Sequence, residues 1–120
     1  MSEHIEVFEA YARAWESTID AEERAVLLQR AWADDGVMFE PEAPEGVFGR
    51  DALAAYIEDA FKASPSMVVT TTSPPEVMGD RLRGKWEQQE NGKTAYRGED
   101  FVEFASDGRI ARLTMFYDPP

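Results

Sequence analysis

Tyr96-Arg97-Gly98-Glu99-Asp100-Phe101-Val102-Glu103-Phe104 decides the fold, because a turn dipeptide stands on either side of it. Asn91-Gly92 before it and Asp107-Gly108 after it supply the φ > 0 positions that tight hairpins require. Between the turns the residues alternate as in a half-buried strand. Tyr96, Gly98, Val102 and Phe104 share one face, while Arg97, Glu99 and Glu103 share the other. Asp100 falls on the first face, among apolar side chains. Burying a carboxylate unpaired is costly, so this one is either paired or put to use.

The same period of two extends outward. Leu82, Gly84 and Trp86 alternate with Arg81, Arg83 and Lys85, which predicts a strand over residues 81–89, with others over 67–72, 94–105 and 109–117. Pro74-Pro75 closes the first of these, since proline cannot sit in a central ladder. Toward the N-terminus the period changes to that of a helix. Ile5, Phe8, Tyr11, Ala12, Trp15 and Ile19 form one apolar stripe. Asp20 with Glu23 three residues on starts a second helix, which carries Leu27, Leu28, Ala31 and Trp32 and is predicted to stop near Gly36. A short strand over 37–40, containing Met38, is halted by Pro41, and a loop rich in Pro, Glu and Gly follows as far as Gly49. The third helix begins at Arg50-Asp51, buries Leu53, Tyr56, Ile57, Ala60 and Phe61, and ends before Pro65. Helices first and an antiparallel meander after them give an α+β domain. One sheet face meets the helices and the other is free for solvent or a partner subunit.

The 120 residues suffice for a single domain, 1–120, with a core and a small cavity. A formal charge of −12 repels phosphate backbones and anionic lipid, so neither nucleic acid nor membrane is an expected partner. With no cysteine there is no disulfide framework and no thiol nucleophile. No basic and apolar leader opens the chain and no stretch is long enough to span a bilayer, so a cytoplasmic address is expected. Lone His4 makes a metal site improbable, and no cofactor is expected.

Arg30-Ala31-Trp32-Ala33-Asp34-Asp35-Gly36-Val37-Met38-Phe39-Glu40-Pro41 is similar to the helix-end, strand and acid-Pro passage of the nuclear transport factor 2-like superfamily, in its SnoaL-like and ketosteroid isomerase-like branch. Gly49-Arg50-Asp51-Ala52-Leu53 resembles the lead-in to that family's third helix. Gly98 to Phe104, followed by Asp107-Gly108-Arg109-Ile110, resembles its last two strands. The resemblance covers nearly the whole chain. It implies a cone-shaped barrel, a curved antiparallel sheet wrapped around three N-terminal helices, with a hydrophobic pocket between them. It also implies a homodimer packed through the outer sheet face, where Phe101, Thr114 and Phe116 would lie.

The resemblance further implies a constellation. Ketosteroid isomerases of this family use a carboxylate base, a tyrosine and a protonated acid in an apolar cone. The matching positions here are Glu40, with Glu where the family has Asp, then Tyr11 on the first helix and Asp100 on the penultimate strand. Such a set moves a proton next to a carbonyl through an enolate, the chemistry of an isomerase or cyclase. Trp15, Trp32, Met38, Tyr56, Trp86, Val102 and Met115 are the candidate pocket lining for an apolar small molecule.

Plainer readings of the same residues stand beside these. Glu40 could be a surface acid at a loop edge, Tyr11 a core aromatic, and Asp100 the partner of Arg83 or Arg112. His4 lies in an N-terminal segment expected to be mobile, and strand alternation puts Arg97 on the face opposite Asp100. The alternative function is a non-catalytic ligand-binding or dimerisation module on the same fold.

Overall fold

The structure, a computed structural model, describes residues 3–118. Helix α1 covers Glu3–Arg13, α2 Ala21–Ala31 and α3 Arg50–Ala63. The strands are β1 Trp32–Glu40, β2 Ala43–Phe48, β3 Val68–Thr71, β4 Glu76–Met78, β5 Arg81–Glu90, β6 Lys93–Phe104 and β7 Ile110–Asp118. They form one sheet in the order β2-β1-β7-β6-β5-β3, with β4 also paired to β5. The β5–β6–β7 meander is antiparallel as expected, with Asp100 opposite Gly84 on one side and Met115 on the other. β1 joins β7 in parallel, so the curved sheet is mixed. The α+β cone anticipated from the sequence is the architecture observed.

The second helix begins as its cap requires, the Asp20 carboxylate accepting the Glu23 N–H at 2.8 Å. It ends at Ala31, five residues before Gly36, and the chain turns extended at Trp32. The stripe of Leu27, Leu28, Ala31 and Trp32 fits a helix. Trp32 nevertheless pairs with Ile110 at the head of β7, so long-range pairing overrides the local period. Gly36 makes this possible: a β-carbon there would lie 2.5 Å from the Trp32 indole nitrogen.

The segment expected as a loop up to Gly49 contains β2, an edge strand antiparallel to β1. Proline is tolerated on an edge, and Pro44 occupies one there. Short β4 was also absent from the sequence reading.

The core joins α1, α2 and α3 to the concave sheet face. Trp32, Leu28, Met38, Leu53, Ile57, Ile110 and Leu113 are fully buried within it. Buried Arg24 ties the helices together: it donates to the Ala14 and Glu16 carbonyls at the end of the first helical segment and pairs with Glu58 of α3. His4 does not fit the expected mobile N-terminus, because its ring stacks on Phe104 with centroids 4.0 Å apart. Among the described residues no helix is long and apolar enough to cross a membrane.

Candidate active site

Between the helices and the concave sheet face lies a cavity of about 550 Å³. Its buried floor is formed by Phe8, Tyr11, Met67, Trp86, Asp100 and Met115. Two glycines shape this floor. A β-carbon at Gly84 would sit 2.5 Å from the Phe8 ring, and one at Gly98 would sit 2.2 Å from the Trp86 indole. Both rings therefore approach bare backbone in adjacent strands, where a side chain would collide with them.

Asp100 is 4% exposed, and the one hydrogen bond its carboxylate makes to a described residue comes from Trp86 Nε1, 3.1 Å from Oδ1. The sequence left Arg83 and Arg112 open as partners, and neither is one. Arg83 is held on the outer face by Glu76 and Glu99, and Arg112 lies over the Phe39 ring. Burial without a counter-charge pushes the Asp100 carboxyl from 3.8 up to about 7, against a smaller opposing effect of the indole N–H. At neutral pH this group can both give and take a proton.

Tyr11 projects from α1 into the same space. Its hydroxyl accepts the Trp15 Nε1–H at 2.9 Å, so its own proton remains to be donated. Burial, then the nearby Asp100 charge, raise its pKa well above the usual phenol value, which keeps it protonated.

Glu40 ends β1 at the cavity's other side. The ladder slips between Met38 and Glu40, and the Pro41-Glu42 turn follows. Tyr56 of α3 donates to Glu40 Oε2 at 2.6 Å, and Tyr117 of β7 lies 3.4 Å from Oε1 and 3.2 Å from Glu42 Oε1. The Glu42 backbone N–H also points at Glu40 Oε1. A carboxylate has about four acceptor positions, so Tyr56, the Glu42 N–H and the Tyr117 hydroxyl, whose one proton is shared between Glu40 and Glu42, leave Glu40 a free lone pair. Burial first, and then their contacts with these acids, raise both Tyr56 and Tyr117, so both stay protonated donors.

Tyr11, Glu40 and Asp100 thus line one cavity, as do Trp15, Tyr56, Trp86 and Met115. The other three expected lining residues do not. Trp32 is wholly buried beneath the Tyr11 ring, with centroids 5.5 Å apart, and Met38 is sealed in the core. Val102 is paired between Leu82 and Leu113 where the cone is packed solid. Conversely, Tyr117, Tyr96, Glu42 and Phe8 line the cavity and were not singled out from the sequence. Tyr117 was within reach, since it lies two residues from Met115 and shares its inward face. Among the described residues no three His, Asp or Glu side chains converge as metal ligands.

The pattern of the SnoaL-like domain matches residues 8–113. The chain belongs to the SnoaL-like family. A crystal structure of a candidate isomerase of the SnoaL-like family from Agrobacterium tumefaciens is 28% identical and superposes with a TM-score of 0.87, covering 98% of this chain and 99% of that one. A candidate polyketide cyclase from Sinorhizobium meliloti is 22% identical with a TM-score of 0.72, over 92% of this chain and 93% of that one. A candidate ketosteroid isomerase from Kribbella flavida is 20% identical with a TM-score of 0.69, over 98% and 82% of the two chains. The last two likenesses speak for the fold alone. No curated protein matches the chain. In this SnoaL-like domain Tyr11, Glu40, Tyr56, Asp100 and Tyr117 line the one cavity described above.

Proposed function

We propose that this SnoaL-like protein catalyses proton transfer next to a carbonyl in an apolar small molecule, as an isomerase or cyclase. The observation that carries this reading is Asp100, buried without a cation on the floor of a cavity that Glu40 and Tyr11 also line. The substrate carbonyl would sit between the Tyr11 hydroxyl and protonated Asp100, which together stabilise the enolate oxygen as charge develops on it. Glu40, fixed by Tyr56 and Tyr117, would take the α-proton on its free lone pair and return it to another carbon. Phe8, Trp86 and Met115 exclude water and keep Asp100 neutral long enough to donate. The likeness to the Agrobacterium protein supports the same reaction class.

Exchange of α-protons for deuterium, followed by NMR across β,γ-unsaturated and 1,3-dicarbonyl ketones, tests this. Glu40→Gln should lower exchange by roughly 10²-fold or more. Asp100→Asn, which keeps a donor, should retain more activity than Asp100→Ala. Tyr11→Phe should lower turnover more than binding. Exchange that survives Glu40→Gln unchanged removes Glu40 from the mechanism, and none by the parent favours a ligand-binding module.

We also propose that two copies associate through the outer sheet face. Phe101 and Phe116 pack edge to face there at 6.3 Å while remaining 42% and 61% exposed. Sedimentation should give a dimer that Phe101→Glu dissociates; a monomer at micromolar concentration in both would contradict it.

A further inference from the structure

The chain has three tryptophans, and two of them donate to proton-bearing groups of the cavity. The Trp15 indole N–H reaches the Tyr11 oxygen at 2.9 Å, and that of Trp86 reaches Asp100 Oδ1 at 3.1 Å. The third, Trp32, is fully buried, and its Nε1 has no partner among the described residues. Indole donation is therefore not a general by-product of packing here.

Local structure brings each indole to its acceptor. Helix α1 ends at Arg13 and the chain tightens beyond it. The Ala14 N–H donates to the Tyr11 carbonyl at 3.0 Å, and the Trp15 N–H to that of Ala12 at 3.1 Å. The Trp15 side chain returns to Tyr11, four residues back, and packs beside Phe61 of α3 with centroids 6.5 Å apart. In the sheet, Trp86 stands opposite Gly98, and Asp100 is its diagonal neighbour on the inner face. A β-carbon at Gly98 would occupy the space that the indole uses.

An indole N–H donates and never accepts, and that asymmetry decides where the two protons sit. Phe8 and Trp32 pack against the Tyr11 ring with centroids 6.0 and 5.5 Å away, so the hydroxyl torsion is the freedom that remains. A donor at the oxygen turns the hydroxyl proton away from Trp15, and no described residue accepts it. In protonated Asp100 the oxygen facing the indole keeps its lone pairs, and the proton resides on Oδ2. Among the described residues, the side-chain polar atoms sealed without a partner belong to Trp32 and Arg50. The unpaired Oδ2 therefore opens on the cavity that Asp100 lines. Each indole also polarises the group it touches, which strengthens the bond that group gives.

We propose that Trp15 and Trp86 are positioning residues of this site: each indole occupies one oxygen, of Tyr11 or of Asp100, and so turns that group's proton into the cavity, where both protons meet one carbonyl oxygen. This rests on the reading of the cavity as a carbonyl site and assigns the residues that aim its donors. Neither indole N–H is free for the substrate; each acts through its partner.

2-Acetylnaphthalene and 2-ethylnaphthalene share a shape and differ in the carbonyl, so the ratio of their affinities isolates what the donors contribute. Equilibrium dialysis against the full chain at pH about 6, where Asp100 holds its proton, measures it. The ketone-to-hydrocarbon ratio should be higher for the parent than for Tyr11→Phe or Asp100→Ala. Trp15→Phe and Trp86→Phe keep a ring and remove the N–H, and each should lower the ratio roughly 3- to 10-fold. With Tyr11→Phe already in place, Trp15→Phe should lower it no further, and likewise Trp86→Phe with Asp100→Ala. The infrared carbonyl stretch of the bound ketone should rise in each tryptophan variant. Trp15 is half-buried, so Trp15→Phe decides the matter even if Trp86→Phe does not fold. A ratio that falls in the Tyr11 and Asp100 variants but not in the tryptophan ones overturns this proposal and leaves the carbonyl site standing. So does an equal loss of both ligands, the mark of a packing role. A parent that binds neither ligand, or whose ratio equals that of Tyr11→Phe and Asp100→Ala, overturns both. A ratio that follows the indoles in a chain that exchanges no α-protons defeats the proton-transfer reading and leaves this one standing.

Discussion

Glu99 and Asp100 are neighbours in β6 that face opposite sides of the sheet, and the two sides treat a carboxylate differently. Outside, Glu99 lies 3.9 Å from the Arg83 guanidinium, which also holds Glu76, and Arg97 holds Glu87 across the adjacent strand. Inside, Asp100 faces no arginine and receives one indole N–H. The outer acids occupy a solvated surface where exposed pairs contribute little to stability. The inner acid is held where its ionised form is unfavourable, at a cost that a purely structural residue would not explain. A one-residue shift of register would exchange the two environments.

The largest effect is expected from removing the inner acid's support. Trp86 fills the floor and supplies the N–H to Asp100, so Trp86→Ala should lower stability by roughly 3–5 kcal/mol in a denaturant titration. A midpoint near the parent's would mean that the indole does not pack inside the cone.

Next comes the dependence on pH. Asp100 is raised from 3.8 to about 7 on folding, so between those values the folded chain holds a proton that the unfolded chain has lost. The stability due to this group is therefore intact at low pH and falls as pH rises through about 7, by about 4 kcal/mol at 1.36 kcal/mol per pKa unit. Asp100→Asn, which keeps an acceptor for Trp86, should remove that slope. It should make the protein more stable than the parent at pH about 8 and leave it nearly unchanged at pH about 4. Parallel stability curves for the two would contradict the assignment.

A smaller change is expected at Gly98, opposite Trp86 in the ladder. Alanine there would put a β-carbon 2.2 Å from the indole, so Gly98→Ala should lower stability by roughly 1–3 kcal/mol and reduce the quenching of Trp86 by bound ligand. The smallest belongs to the outer face. Glu99→Gln should change stability by less than about 1 kcal/mol and leave the pH profile as it was. A loss as large as that of Trp86→Ala would erase the distinction between the two faces.

Much of this contrast was legible in the sequence, because strand alternation is a short-range signal and the turns at Asn91-Gly92 and Asp107-Gly108 fix the register of β6. The inward direction of Asp100 and Trp86 followed from it. What failed to read out depended on distant partners. Trp32 fits a helical stripe equally well, and only its pairing with Ile110 makes it a strand residue. The contacts of Glu40 with Tyr56 and Tyr117 join three elements, with Glu40 and Tyr117 separated by 77 positions in the chain, and no local period announces them. The packed end of the cone was likewise hidden. Val102 and Asp100 look alike in register, and only cross-strand neighbours seal the first and leave the second open to the cavity.

The central claim is that Asp100 is an acid kept without a counter-charge in an apolar cavity and so poised near neutrality. Carbon-13 NMR of the side-chain carboxyls, with Asp100 identified by its absence from Asp100→Asn, measures this directly. The expected result is a titration midpoint of about 7 for Asp100. A midpoint near the ordinary aspartate value of about 4 would contradict the account, because the carboxyl would then be ionised throughout the neutral range and unable to donate to an enolate.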